Sequence, residues 1–326
     1  MDQDNLMSEF TTPHPLNTAV LFLVFNRLDV TKQVFESIRA AKPPRLYIAA
    51  DGARETREGE EQKVKDVRKY ITSNIDWKCK VKTLFREENL GCTIAVSGAI
   101  DWFFENEEMG IILEDDCIPD ISFFAYCNFL LNKYKDDKRI MGISGTNFFP
   151  EKKDEIFFTA GGGSIWGWAT WKRSWDLYNH DIMNDDIMKL NYQGVFKFKK
   201  GLYKMIYKSY SGMYDKSNNW VWDMRWGYVV LLNHGLFINP KKNLITNIGI
   251  HGTHGDVKEV INKDKQAFNI DNLILPKYFI PNYEYEVKVL NKYMPISFGP
   301  KRMLAHIIGS IGLYDFFIKF YKKYKK

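Results

Sequence analysis

The segment Ala19–Phe25 (AVLFLVF) is apolar at every position. A half-exposed strand or helix interrupts such a run with polar residues, so this one belongs to an element covered on both faces, as strands of a parallel sheet are. It is about a third of a bilayer-spanning length, with no basic flank or cleavage-type site beside it, and predicts neither a transmembrane helix nor a secretory signal. A second continuous run is Ile111–Leu113, and weaker strand candidates are Leu46–Ala50 and Val81–Phe85. Between them Val30, Val34, Ile38 and Ala41 recur at helical spacing, as do Val96, Ile100, Phe103 and Phe104. The charged stretch 54–70 reads as a loop leading into a solvated helix. This alternation predicts an α/β chain with a mostly parallel, doubly wound sheet flanked by helices. Asp120 is placed to N-cap a further helix through Ile121 and Phe124.

Charge narrows the class of partner. The net charge is +6, and residues 301–326 account for all of it with seven Lys/Arg against Asp315. The rest of the chain is balanced, whereas a nucleic-acid binder is expected to carry its charge on a folded groove, so no nucleic-acid partner is expected. In the tail, aromatic and apolar residues alternate with lysines. Two readings stand: an amphipathic segment lying on an anionic membrane, or a helix packed on the core with a solvated basic end. The four cysteines, Cys79, Cys92, Cys117 and Cys127, form no Cys-x-x-Cys pair. A reducing, cytoplasmic setting is expected, with the tail suited to the inner face of the membrane.

Ligands of open α/β sheets bind beyond the carboxyl ends of the strands, and Glu114-Asp115-Asp116 follows directly on the run Ile111–Leu113. Adjacent carboxylates repel one another and a cation relieves the repulsion; oxygen ligands favour Mg²⁺ or Mn²⁺. The chain has no P-loop, no Gly-x-Gly-x-x-Gly after its first strand, no Gly-x-Ser-x-Gly and no His-Glu-x-x-His. Asn26 and Arg27 end the first strand, Asp51 the second and Arg86 the third, so all point to the same sheet edge as the acids. Beyond residue 140 the tryptophans gather, Trp166, Trp168, Trp171 and Trp175 in one group, Trp220, Trp222 and Trp226 in another. Indole faces suit both pyranose rings and protein cores. Trp166, after a glycine-rich lead, suits a loop wall; Trp171 and Trp175 suit packing.

The phrases LVFNR (23–27), AADGAR (49–54), REENLGC (86–92), ILEDD (112–116), IWGWATW (165–171), WVWDMRWG (220–227) and NLITNIG (243–249) resemble bacterial glycosyltransferases of the GT-A fold. More narrowly they resemble nucleotide-diphospho-sugar transferases related to N-acetylglucosaminyltransferase I, over roughly residues 17–260. The resemblance implies a Rossmann-like nucleotide-sugar-binding half (17–118), an abutting acceptor-binding half (119–260) and a C-terminal extension (261–326). It implies that Asp116 binds Mn²⁺ or Mg²⁺ while Glu114 and Asp115 hold ribose and sugar hydroxyls. Asn26, Arg27 and Asp51 then serve nucleobase and ribose, Arg86 the diphosphate and Trp166 the donor sugar. His254, with His251 as the competing choice, supplies a further metal ligand. Asp223, among indoles that raise its pKa, is the candidate base of an inverting transfer to a glycan or glycolipid hydroxyl in bacterial surface polysaccharide synthesis, with a UDP-sugar favoured as donor. Two other classes remain at this point, a metal-dependent phosphohydrolase using the same acids and a non-catalytic carbohydrate-binding protein.

Overall fold

A computed structural model of the chain describes residues 16–160, 163–179, 222–249, 251–252, 255–256 and 265–293. Strands β1 (Ala19–Val24), β2 (Arg45–Ala50), β3 (Lys80–Phe85) and β4 (Met109–Glu114) alternate with helices α1 (Leu28–Ala41), α2 (Glu60–Ser73) and α3 (Gly91–Phe104). After them come β5 (Cys117–Pro119), α4 (Ile121–Lys133), β6 (Ile140–Ser144), β7 (Ile156–Thr159), β8 (Trp168–Trp171) and α5 (Lys172–Trp175). The remainder forms α6 (Trp222–Leu232), β9 (Leu236–Pro240), β10 (Ile245–Asn247), the short pair β11 (His251–Gly252) and β12 (Gly255–Asp256), and α7 (Tyr283–Tyr293).

An eight-stranded sheet runs in the order β3-β2-β1-β4-β8-β6-β9-β7. Strands β1 to β4 are mutually parallel where they pair, β8 enters antiparallel between β4 and β6, and β9 is parallel to β6. This is the expected α/β, Rossmann-like class. The chain starts at β1, moves outward through β2 and β3, then returns to the far side of β1 as β4. That reversal creates a switch point between β1 and β4, where an open α/β sheet leaves a crevice at its carboxyl edge. It also divides the helices. Val20, Phe22, Val24, Ile111 and Leu113 share one core with Val34, Phe35 and Ile38 of α1 and with α4. The opposite face meets α3, so closely that a Cβ on Gly110 would lie 2.2 Å from the Phe103 ring. As expected, Asp120 caps α4, its Oδ1 accepting from the Ser122 amide at 2.9 Å.

Strand β8 changes the reading of the tryptophans. All four residues of β8 are buried, Trp168 at 0% exposure and Trp171 at 2%, and Trp175 of α5 and Trp226 of α6 are no more than 3% exposed. The Trp168 ring lies 6.0 Å from Trp226 and 6.3 Å from Trp175. These indoles are core, which decides for packing over a sugar-binding surface at Trp168, Trp171, Trp175 and Trp226; Trp220 lies outside the described residues.

The chain divides into two compact units, Met1–Tyr178 with Trp226–Tyr283, and Asn179–Arg225 with Glu284–Lys326. The first contains the sheet. In the second, α7 carries a Glu284–Lys288 ion pair of 2.7 Å on an exposed face. No helix among the described residues is long and apolar enough to cross a membrane. The basic segment 301–326 lies outside the described residues.

Candidate functional site

Glu114 closes β4, and Asp115 and Asp116 form the turn into β5. Alternation along β4 places Glu114 on the α3 face with Gly110 and Ile112. Across the switch point, Arg27 leaves the end of β1 at the start of α1. Its Nε donates to Asp115 Oδ2 at 3.3 Å, and its Nη2 donates both to Asp115 Oδ1 and to Asp116 Oδ2, the latter at 2.9 Å. A single guanidinium nitrogen therefore bridges two carboxylates. Burial pushes the Asp115 carboxyl up to about 6, against the pull of the Arg27 charge. Burial acts to lower the Arg27 pKa, but Asp115 and Asp116 outweigh it and hold the guanidinium above its ordinary value.

Asp116 is gripped from three sides. Burial and the neighbouring acids push the Cys117 thiol well up, so it keeps its proton and donates to Asp116 Oδ1 at 3.4 Å. The Ile248 amide donates to the Asp116 carbonyl at 2.8 Å, extending the antiparallel pairing of β10 with β5. Gly249 then passes so near that a Cβ there would stand 2.2 Å from Asp116 Oδ2. The Asn247 Oδ1 atom fixes this bend by accepting from the Gly249 amide at 2.8 Å.

The ends of β2 and β3 complete the edge. Both carboxylate oxygens of Asp51 accept from the Leu90 amide at 3.1 Å, and Oδ2 also from Gly91 at 3.0 Å, bracing the loop before α3. Gly52 is required where that loop crosses, since a Cβ would lie 2.4 Å from the Glu87 carbonyl oxygen. Arg68 Nη2 donates to the carbonyls of Asp51 at 2.9 Å and Arg86 at 2.6 Å, tying the two strand ends together. Asn26 Nδ2 donates to Glu60 Oε1 at 2.8 Å, and Arg54 Nε donates to Glu60 Oε2 at 2.9 Å. The Arg54 hydrogen bonds hold the Glu60 carboxyl down at about 2. Arg54, Arg68 and Arg86 face a cleft of about 460 Å³ beside Gly52 and Glu87.

The structure thus brings Asn26, Arg27, Asp51, Arg86, Glu114, Asp115 and Asp116 to one sheet edge. Trp166 is half-buried, its ring edge-on to Phe148 at 5.5 Å. Asp223 lies half-buried in the first turn of α6. His254 and the side chain of His251 lie outside the described residues, although the backbone of His251 opens β11 just after Gly249. Among the described residues no three His, Cys, Asp or Glu side chains gather as a ready metal cage. The donor set nevertheless suits a hard cation: the two carboxylates converge on one positive group, the Arg27 Nη2, and offer oxygen only.

No role at this edge was expected of Glu60, Arg54, Cys117 or Gly249, although Arg54 and Gly249 end two of the phrases that carry the resemblance. Glu60 had a signal, because it shares the helical spacing of Val64, Val67 and Ile71, all buried on one face of α2. Its place in a mixed-charge run concealed it. The approach of Gly249 to Asp116 had none, since it joins residues more than a hundred positions apart.

No protein-family model matches the chain, and no curated protein matches it in sequence. Among solved structures it is similar to the mannosyltransferase PcManGT from Pyrobaculum calidifontis in complex with GDP-Man and Mn²⁺, at 15% identity over 49% of this chain and 46% of that one, with a TM-score of 0.34. It is similar to HddC from Yersinia pseudotuberculosis at 11% identity, 50% and 81% coverage and a TM-score of 0.32. A cytidylyltransferase from Leptospira borgpetersenii gives 11% identity, 50% and 63% coverage and a TM-score of 0.29. The chain spans less than half the length of the mannosyltransferase. Likenesses this distant assign neither family nor activity.

Proposed function

We propose that the protein is a metal-dependent, inverting glycosyltransferase that moves a sugar from a nucleoside diphosphate sugar, a UDP-sugar by preference, to a hydroxyl of a glycan or glycolipid acceptor in bacterial surface polysaccharide synthesis. The observation that carries this reading is the convergence of Arg27, Asp115 and Asp116 on the β1/β4 switch point, with Asn26, Asp51 and Arg86 along the same edge. A nucleoside diphosphate has matching demands: donors for its phosphates, acceptors for ribose hydroxyls and base, and a place for a cation.

In this reading Asp116 holds Mn²⁺ or Mg²⁺, with His254 as a further ligand, and Glu114 and Asp115 accept from ribose and sugar hydroxyls. Such an ion supplies Lewis-acid stabilisation of the charge on a departing nucleoside diphosphate. Asn26 and Asp51 orient nucleobase and ribose, Asp51 using lone pairs left over from the Leu90 and Gly91 amides, while Arg27, expected beside them, is held instead by Asp115 and Asp116. Arg86 pairs with the diphosphate and Trp166 lines the donor sugar. Asp223 takes the proton of the attacking acceptor hydroxyl, and a single displacement needs only that one base and no enzyme nucleophile. Residues 301–326 hold the protein to the cytoplasmic face of the membrane, where a glycolipid acceptor resides; liposome flotation with and without the segment checks this, and equal recovery would rule it out.

A screen of nucleotide sugars for nucleoside diphosphate release, with Asp116→Ala as control, tests the whole. Release that requires an acceptor supports transfer. Burial of Trp168, Trp171, Trp175 and Trp226 speaks against a carbohydrate-binding protein, and the phosphohydrolase stands as the second reading. Phosphate release without any acceptor would favour that hydrolase.

A further inference from the structure

We infer that Arg27 is the internal counter-ion of the candidate metal site and makes divalent-cation binding conditional on an anionic diphosphate. The inference rests on the proposed donor site and adds an order of events to it. Nη2 of Arg27 donates to both Asp115 and Asp116, so a cation held by Asp116 would have to displace the guanidinium from Asp116 Oδ2. Two carboxylates this close repel one another, and the Arg27 charge between them offsets that repulsion.

The residue is built to hold and to let go. Its main chain is pinned at the start of α1, where the Arg27 carbonyl accepts from the Thr31 amide at 3.0 Å and from Thr31 Oγ1 at 2.6 Å. Its side chain keeps 30% exposure while that of Asp115 has 7%. Part of the Arg27 side chain is therefore open to solvent, at the edge proposed to take the diphosphate. Phosphate oxygens suit the planar guanidinium fork as well as carboxylates do.

A cation entering alone has to expel Arg27 into solvent without a partner. A cation entering with a diphosphate leaves Arg27 a new anion to bind. The two ligands are then coupled, and each must tighten the other by the same factor.

Titration of the full-length protein with Mn²⁺, alone and with saturating UDP or GDP, tests the coupling by calorimetry. For the wild type, nucleotide is expected to tighten Mn²⁺ binding by about tenfold or more. Arg27→Met is expected to bind Mn²⁺ alone about tenfold more tightly than the wild type, with the nucleotide effect reduced to about threefold or less. Arg27→Lys keeps the charge without the fork and falls between them; it carries the test if Arg27→Met does not fold. Thermal melts supply an independent readout, since Mn²⁺ alone should raise the melting temperature of Arg27→Met more than that of the wild type. The inference is overturned if wild-type Mn²⁺ affinity is the same with and without nucleotide, or if neither variant gains affinity for Mn²⁺ alone. A wild type that binds neither Mn²⁺ nor nucleotide overturns the donor-site reading as well, which separates the two failures.

Discussion

At the carboxyl edge of β1 and β4, Asp115 and Asp116 are balanced by Arg27 and braced by Cys117, Ile248 and Gly249. In the interior of the same sheet, β8 and α6 bury Trp168, Trp175 and Trp226 against one another with ring separations of 5.2–6.3 Å. The first region spends stability on holding charges where water is scarce; the second supplies stability through apolar contact. Residues conspicuous in the sequence thus divide by setting, acids at a strand end toward chemistry and indoles in an interior strand toward packing.

The sharpest test of that division exchanges stability for activity. Asp116→Ala should lower nucleoside diphosphate release by about a thousandfold and abolish Mn²⁺ binding, because the ion's several kcal/mol of charge stabilisation is lost. Its melting temperature should fall only modestly, because Arg27 keeps Asp115 as its partner when Asp116 is lost. Trp168→Ala should do the reverse, costing about 3–5 kcal/mol in urea denaturation through lost burial and a cavity. Trp166→Ala, by contrast, should cost less than about 1 kcal/mol and act on KM for the donor. Equal destabilisation by the two tryptophan variants would break the comparison.

Gly249→Ala sharpens the acidic side. The added Cβ cannot fit beside Asp116 Oδ2 without moving it, so Mn²⁺ affinity should fall by about tenfold, as for other groups that orient a metal ligand. Unchanged affinity by calorimetry would show that Asp116 does not hold the ion. The smallest effect is expected from Glu60. Its carboxyl lies at about 2 in the folded chain against an ordinary 4.5, so its contribution is present above 4.5 and is lost as pH falls toward 2. Glu60→Gln should therefore be less stable than the wild type at pH 6 and show a shallower loss of stability across that window. Parallel pH profiles for the two proteins would remove Glu60 from the ledger.

The alternation of β1 to β4 with α1 to α3 was legible from the chain alone, and so was the position of Glu114-Asp115-Asp116 at a strand end. Both depend on local patterns: an apolar run has to be covered, a helical stripe has to face the sheet, and whatever follows a parallel strand emerges at its carboxyl edge. Tertiary structure decided which indoles are core, because a Trp suits packed neighbours wherever they come from, and only the packing of Trp175 and Trp226 from the helices over β8 encloses Trp168. It also decided that Arg27 meets both acids, and that Gly249 closes on Asp116 from the far end of the chain. Such contacts arise from the strand order β1-β4 and the pairing of β10 with β5, which join segments that carry no record of one another in their own residues.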